Sequence, residues 1–265
     1  MLFILFIMSL DYLKKLNPHP KDDDIKFKDE GHIYTVKGCT DYTSVTTWIH
    51  SLFEEFDPDK IIDNMMNSPK WSNNKYYGMT KDEIKQLWDN NRDSAAIAGT
   101  KIHYDIECTY NNMNVVNDSL EYKYFLNFKN DFNKLQPYRT EMLVYDEKLK
   151  LSGSIDMIFK CQDGSFEIYD WKRSKEILKV SKWDKWIKSN IVTHLPDTNY
   201  WHYSLQLNTY KAILTRNYGM NIKNLYLVVL HPENKSYLRI PVVDLQSEVS
   251  QLFLERESQL ENHLK

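Results

Sequence analysis

Two aspartates and a lysine stand close together in a stretch whose pattern predicts a β-hairpin. The stretch covers residues 153–172, and its arms are joined through Asp163-Gly164, a dipeptide that favours tight hairpin turns. Asp156 lies on the first arm, and Asp170 and Lys172 share one face of the second. If the arms pair, the three groups converge, which suits a divalent cation and a phosphate. Taken alone, such a pattern more often belongs to solvated residues at a strand end.

Composition indicates a folded protein of a reducing, intracellular compartment. The chain has 265 residues, of which 42% are hydrophobic and 14% aromatic, enough for one large domain or two small ones. A net charge of -3 argues against a general polyanion-binding protein, although acids at a metal site would hide a local basic groove. Three widely spaced cysteines argue against a disulfide framework, a zinc site or an iron–sulfur cluster.

Residues 1–8 are wholly apolar. The segment is shorter than the roughly 20 residues of a membrane span, and it lacks the basic region and cleavage site of a signal peptide. A buried first segment and a true start at Met8 are the two interpretations. We expect no membrane contact.

Hydrophobic periodicity predicts a chain that alternates between helices and strands. Strands are expected as a hairpin at residues 25–37, a strand at 140–145, the hairpin above, a buried strand at 225–230 and an edge strand at 236–242. Helices are expected from Ser44, at 59–66, from the capping box at Thr80 through Glu107, and at 119–135, 172–190, 200–218 and 245–264. This order predicts an α/β or α+β fold with a mixed central sheet.

Other polar residues could join the two aspartates and the lysine. His103 and Glu107 are four apart, so they share one face of a helix, and Gly99 would let that helix approach a backbone or a phosphate closely. Glu141 lies early in the strand before the hairpin. Gln206 and Tyr210 share a face of a later helix, where Tyr210 by itself is more typical of a core residue.

A basic run follows Lys172 and is interleaved with aromatic residues. Its members are Arg173, Lys175, Lys179, Lys182, Trp183, Lys185, Trp186 and Lys188. Cations with aromatic rings suit a single-stranded nucleic acid, whose phosphates pair and whose bases stack. The alternative, of similar weight, is that this basic run is simply the solvent-exposed face of a helix.

Taken in order, these residues resemble a known family. The motifs are G-x-x-x-H-x-x-x-E (Gly99, His103, Glu107), G-x-x-D (Gly153, Asp156), D-x-K (Asp170, Lys172) and Q-x-x-x-Y (Gln206, Tyr210). This order resembles the RecB-type exonuclease branch of the PD-(D/E)xK nucleases. That branch includes the mitochondrial genome maintenance exonuclease, and phage lambda exonuclease is a more distant relative. Ser44-Val45-Thr46-Thr47 is also similar to a stretch in relatives of the mitochondrial enzyme, and the resemblance covers residues 43–230.

The resemblance implies a restriction-endonuclease-like αβββαβ core and a divalent-metal site. It implies Mg²⁺ or Mn²⁺ bound by His103, Asp156, Asp170 and the Trp171 carbonyl, with no iron–sulfur cluster, since no cysteine follows Cys161. Lys172 would orient or activate water, or neutralise charge, with Gln206 beside it. The resemblance also implies that further residues support the metal site or contact DNA. They are Glu107, Glu141, Tyr210, Arg173, Lys175, Trp183 and Trp186.

The expected function is that of a metal-dependent DNA exonuclease in replication, recombination or repair. A structure-specific endonuclease and a non-catalytic nucleic-acid-binding subunit are the alternatives. The expected organisation is an N-terminal extension at 1–42 and one nuclease domain at 43–265, with a core at about 95–240. We expect DNA as partner, with a helicase or recombination protein as a second candidate. A viral or phage origin would fit the many Asn and Lys residues. Polarity, strand preference and oligomeric state stay open.

Overall fold

A computed structural model describes residues 9–181 and 187–263 of the chain. The helices of this part are α1 (Tyr12–Leu16), α2 (Val45–Ser51), α3 (Pro58–Met66), α4 (Lys81–Tyr110), α5 (Leu120–Asp131), α6 (Asn199–Tyr218) and α7 (Gln246–His263). The strands are β1 (Ile25–Lys28), β2 (Ile33–Val36), β3 (Thr43–Ser44), β4 (Gln136–Asp146), β5 (Leu151–Lys160), β6 (Phe166–Lys172), β7 (Ile222–Val229) and β8 (Leu238–Pro241).

One mixed sheet of six strands organises the molecule. Its order is β3–β5–β6–β7–β8, and β4 also pairs with β5. Strand β5 is antiparallel to β4 and β6, whereas β6 and β7 are parallel and are joined through α6. A parallel pair needs such a crossover, because the chain must return to the same end of the sheet. Strands β1 and β2 form a separate antiparallel hairpin.

Helices α2, α6 and α7 cover one face of the sheet. Val45, Leu205 and Leu252 of these helices are fully buried with Ile158 and Leu227 of the strands. The apolar alternation of the strands therefore has a helical layer to bury it, which is the main favourable contribution to folding.

Helices α4 and α5 cover the other face with a cluster of aromatic side chains. The Trp171 ring packs edge-on against Phe125, with 5.7 Å between ring centres, and is stacked 6.4 Å from Tyr110. Phe159 joins this cluster from β5. The packing fixes the last turns of α4 against β6, and so it fixes the position of the helix face that carries His103.

The two long helices begin or end where their sequence signals predict. The Thr80 side chain accepts from the Glu83 backbone N–H, and the Glu83 carboxylate accepts from the Thr80 backbone, so the capping box is present. Helix α6 ends at Gly219, whose φ of 65° lies in the left-handed region that glycine tolerates. The predicted hairpins, the buried strand β7 and the edge position of β8 are also confirmed.

The helix predicted over residues 172–190 is wrong for its described part. Lys172 ends β6, and residues 173–181 and 187–190 form no helix. The Asn199 side chain accepts from the Leu178 N–H and donates to the Glu176 carbonyl, and the Trp201 indole donates to the Lys179 carbonyl. Side chains of α6 thus satisfy backbone groups that a helix would have paired internally. Helix α5 is also shorter than predicted and ends at Asp131.

The N-terminal segment is tied to the sheet by a buried ion pair. Arg139 of β4 is 3% exposed and donates two parallel hydrogen bonds of 2.9 Å to Asp22. Ile25, Tyr34 and Val36 of the hairpin form a small core with Tyr145 of β4. The domain division at residue 42 stays a prediction.

The fold is α+β, with a mixed central sheet between two helical layers. Among the described residues, no helix has the length and apolar character needed to cross a membrane.

Candidate metal centre

The hairpin of β5 and β6 brings the two aspartates and the lysine together. The Trp171 backbone N–H donates a 2.8 Å hydrogen bond to Asp156 Oδ2. Lys172 Nζ lies 2.7 Å from Asp170 Oδ2, and both side chains are largely buried. The carboxylates and the ammonium are therefore held by the hairpin itself, as the alternation along its arms predicts.

His103 reaches this hairpin from α4. Its Nε2 lies 2.8 Å from the Trp171 carbonyl oxygen. Because a carbonyl can only accept, Nε2 carries the proton, and the lone pair of the neutral ring is on Nδ1. Nδ1 is 3.6 Å from Asp156 Oδ2 and 3.9 Å from Glu141 Oε1. Metal-binding histidines are commonly oriented by such a hydrogen bond from the second ring nitrogen to a carbonyl.

His103, Glu141 and Asp156 form a group that could hold a metal ion. One ligand atom from each lies within 4.8 Å of the others. An imidazole nitrogen with carboxylate oxygens suits Mn²⁺, and the oxygens suit Mg²⁺. Asp170 lies beside Lys172 instead of in this group, and the Trp171 carbonyl faces His103. The roles of Asp170 and the Trp171 carbonyl as ligands stay predictions.

The backbone of Glu141 is strained where it enters the site. Its φ is 42°, a left-handed value that a side chain with a Cβ rarely adopts. The pairs Thr140–Met157 and Met142–Ile155 place Glu141 opposite Asp156, where the ladder has no pair. Such a conformation costs of order 1–3 kcal/mol and persists when its surroundings hold it.

Side chains of β5 change faces at the same point. Ile155 and Ile158 both pack towards α6, whereas Met157 and Phe159 pack towards α4 and α5. Strict alternation would put Ile155 with Met157. The irregularity therefore lies at Asp156, and it aims this carboxylate at the junction of the two faces.

Charges at the site depend on one another. Burial by itself would lower the pKa of His103, but Asp156 and Glu141 outweigh it and raise the pKa to about 9. Burial, opposed by Lys172 and reinforced by Asp156, raises the pKa of Asp170 to about 6. Burial also raises the pKa of Asp156.

The acids around Lys172 favour its charged form. Burial disfavours its ammonium, but Asp170 and Asp156 outweigh burial and raise the pKa above the ordinary lysine value. Nζ also lies 4.5 Å from the centre of the Tyr203 ring, a cation–π distance. This side chain can neutralise negative charge, and its raised pKa disfavours proton transfer from water to Nζ.

The predicted Gln206–Tyr210 pair lies on the α6 side of the hairpin. Tyr210 is 3% exposed, and a Cβ placed on Gly153 would lie 2.5 Å from its hydroxyl. Gly153 is therefore the residue that makes room for this ring. Burial, followed by neighbouring Tyr34 and Asp156, raises the pKa of Tyr210 well above its usual value, and Gln206 partly opposes this rise. Tyr210 is thus both a core residue and a neighbour of the acids.

Glu107 lies one helical turn beyond His103, next to the acid cluster. Burial, with repulsion from Glu141 and Asp11, raises the pKa of Glu107 to about 7. Gly99 has a different environment, since a Cβ there would meet nothing within 4 Å. The expected close approach of α4 at Gly99 therefore does not occur within the described protein.

The described basic residues after Lys172 are partly paired within the protein. Arg173 Nε lies 2.8 Å from Glu121 Oε1, and Lys175 Nζ lies 2.5 Å from Glu233 Oε2. Trp183 and Trp186 lie outside the described residues. DNA contact by these four residues stays a prediction.

Sequence patterns missed two residues that reach the site. Tyr203 lies under Lys172 and carries no motif of its own, although it stands one helical turn before Gln206. Tyr34 comes from β2, and burial, with Glu141 and Asp156, raises its pKa to about 12. The sequence indicated only that Tyr34 lies in a hairpin, and a hairpin pattern does not show which strand of the sheet it packs against.

Comparison with known proteins adds two alignments to solved structures. No family model matches the chain, and no curated protein matches it. The crystal structure of SSO0001 aligns over 83% of this chain and 76% of that chain, with 15% identity and a TM-score of 0.36. A candidate exonuclease from Eubacterium rectale aligns over 84% of this chain and 80% of that chain, with 13% identity and a TM-score of 0.38. At these scores, an interpretation of the site depends on its own geometry.

Proposed function

We propose that this protein is a divalent-metal-dependent exonuclease that hydrolyses phosphodiester bonds of DNA, with the αβββαβ core of the RecB-type PD-(D/E)xK nucleases. The observation that carries the proposal is the group of His103, Glu141 and Asp156 beside the buried Lys172 ammonium. Three metal-binding side chains next to one fixed cation suit a phosphodiester, whose transition state gains negative charge.

In this proposal, His103, Glu141 and Asp156 hold Mg²⁺ or Mn²⁺. The bound cation would activate water and stabilise charge on the scissile phosphate. The Trp171 carbonyl orients His103 through Nε2, so that Nδ1 faces the carboxylates. The Ser154 hydroxyl donates a 2.7 Å hydrogen bond to Glu141 Oε2, which leaves Oε1 facing His103.

Lys172 acts through its charge. Asp170 keeps Nζ in place at 2.7 Å, and Tyr203 closes the other side of the ammonium. An ammonium at this place binds a non-bridging phosphate oxygen and stabilises the charge that develops there. Its raised pKa supports this role over that of a general base.

The substrate and its context are proposed from the same chemistry. DNA ends or single strands are the proposed substrate, in replication, recombination or repair, and a helicase or recombination protein is the proposed partner. The basic run after Lys172, with Trp183 and Trp186, would contact the strand by charge and by stacking.

A cleavage assay with a matched pair of variants tests the proposal. End-labelled linear DNA and closed circular DNA are incubated with Mn²⁺, Mg²⁺ or EDTA, for the unchanged protein, Lys172→Ala and Lys223→Ala. Lys223 is a matched control because it is an exposed lysine with an ion-pair partner, Asp163, and has no proposed role at the site. We expect metal-dependent loss of linear DNA, a decrease of at least about 10²-fold for Lys172→Ala, and little change for Lys223→Ala.

Each alternative has its own result in this assay. Cleavage of circles would favour an endonuclease, because an exonuclease needs an end. DNA binding without cleavage in either metal would favour a non-catalytic binding subunit. Full activity of Lys172→Ala would contradict the proposed role of the lysine. The position of the released label reports polarity.

A further inference from the structure

The N-terminal hairpin packs on β4, the strand that also carries Glu141 of the candidate metal group. Tyr34 forms a small core with Ile25, Val36 and Tyr145, and Leu143 packs against it. Tyr145 and Leu143 share a face of β4, because side chains two residues apart point the same way, and the hairpin covers both of them. Glu141, a candidate metal ligand, lies two residues before Leu143 on the same strand.

The Tyr34 ring is packed, yet its hydroxyl makes no hydrogen bond with any residue that the structure describes. The ring is packed 4.7 Å from Phe27 and 5.5 Å from His32, centre to centre, and the residue is 6% exposed. The Tyr34 hydroxyl oxygen is not among the fully buried polar atoms that lack a partner, so it reaches solvent and is accessible to a ligand. The charges of Glu141 and Asp156 act on this phenol and, after burial, contribute to its raised pKa.

We infer that Tyr34 contacts the substrate and donates its O–H to a non-bridging oxygen of the scissile phosphate; the inference rests on the proposed nuclease function. A neutral donor is the group that this place requires. A lysine or arginine so close to Glu141 and Asp156 would pair with them and compete with the metal cation. A phenol adds a donor without adding charge, and it stays protonated throughout the physiological pH range.

This assignment makes the N-terminal hairpin part of the active site. Tyr34 reaches the acids only because β1 and β2 pack on Leu143 and Tyr145 of β4. The Tyr145 hydroxyl donates a 2.5 Å hydrogen bond to Asp24, which precedes β1 and helps to hold the hairpin in place.

Two tyrosine-to-phenylalanine variants separate the proposed contact from general effects of the hairpin. Tyr34→Phe removes the hydroxyl and keeps the ring. Tyr42→Phe is the matched control, because Tyr42 packs against the same small core while its ring lies under the Lys150 ammonium at 4.7 Å. Single-strand cleavage is measured with Mn²⁺, together with the affinity for Mn²⁺ and the melting temperature.

For Tyr34→Phe we expect kcat to fall about 10²-fold, with KM and the affinity for Mn²⁺ within about threefold of the unchanged protein. Tyr42→Phe should leave all three unchanged. Equal kcat values for the two variants would overturn the inference. A parallel loss of affinity for Mn²⁺ would also overturn it, because the hydroxyl would then be holding Glu141 instead of the substrate.

A binding measurement keeps the inference testable if no cleavage is found. Thymidine 5′-monophosphate is titrated into the Mn²⁺-loaded protein by calorimetry. We expect binding about tenfold weaker for Tyr34→Phe than for Tyr42→Phe. Lack of cleavage by the unchanged protein, with this difference present, would contradict the nuclease function while supporting the phosphate contact. Equal binding by the two variants would overturn the contact itself.

Discussion

Replacing Gly153 by alanine tests how closely α6 approaches the hairpin that carries Asp156. A Cβ at this position would lie 2.5 Å from the Tyr210 hydroxyl oxygen, 2.8 Å from its Cε1 and 3.1 Å from its Cζ. Ordinary contacts between such atoms begin about 1 Å farther out for carbon. Tyr210 is 3% exposed, so its ring is surrounded by protein and cannot turn into solvent without opening the core.

Relief of this overlap requires either a shift of α6 or a shift of β5. Added methyl groups in a packed core typically cost about 1–3 kcal/mol. For a chain of this size, each kcal/mol lowers the melting temperature by about 2–4 °C. We therefore expect Gly153→Ala to lower the melting temperature by about 2–12 °C, and to lower metal affinity because Asp156 lies three residues away on the same strand.

Gly99→Ala is the matched control for this change. Gly99 lies inside α4, and a Cβ there meets nothing within 4 Å. Alanine in a helix interior is more favourable than glycine by about 1 kcal/mol, so this variant should be slightly more stable than the unchanged protein. The two glycine-to-alanine changes should therefore have opposite signs in chemical or thermal unfolding.

A double-mutant cycle with Tyr210→Phe identifies the cause. Removing the hydroxyl removes the nearest of the three atoms, so Gly153→Ala should cost less in the Tyr210→Phe background by at least about 0.5 kcal/mol. The reasoning would be refuted if Gly153→Ala were no less stable than Gly99→Ala. It would also be refuted if the cost did not depend on residue 210.

Three further predictions concern other parts of the molecule. Glu141→Gln removes a ligand charge and should weaken Mn²⁺ binding by at least about tenfold in calorimetry, whereas unchanged affinity would exclude Glu141 from the site. Burial lowers the pKa of His19, so the stability that it contributes is complete above the unfolded pKa of about 6.5 and is lost as pH falls through the lower folded value. Urea unfolding at pH 7 and pH 5 should show a smaller acid-induced loss for His19→Gln. Arg139→Ala leaves the Asp22 carboxylate unpaired under the N-terminal segment and should cost about 3–5 kcal/mol, whereas a cost below about 1 kcal/mol would show that the pair is dispensable.

Local pattern was sufficient to predict the elements that carry the acids and the lysine. Alternation along residues 152–160 and 166–171 with the Asp163-Gly164 turn predicted the β5–β6 hairpin, which is present. Capping signals located the start of α4 and the end of α6. These predictions succeeded because hydrogen bonds within a hairpin or a helix connect residues that are close in sequence.

Tertiary structure decided which residues form the candidate metal group. Glu141 joins His103 and Asp156 because β4 pairs with β5 in one register, and because its backbone adopts a positive φ at that point. Neither the register of β4 on β5 nor the positive φ of Glu141 can be predicted from residue types or their spacing. The sequence placed Glu141 in a strand, and only the sheet placed it opposite Asp156.

Long-range packing also decided which residues surround the acids. Residues 173–181 form no helix because side chains of α6, 20 or more residues later, satisfy their backbone groups. Tyr34 reaches Glu141 and Asp156 across more than 100 residues of intervening chain, by the packing of a hairpin on β4. The identities of the chemical groups, and the elements that carry them, follow from the sequence alone. Their mutual placement depends on burial and strand register, which are properties of the whole fold.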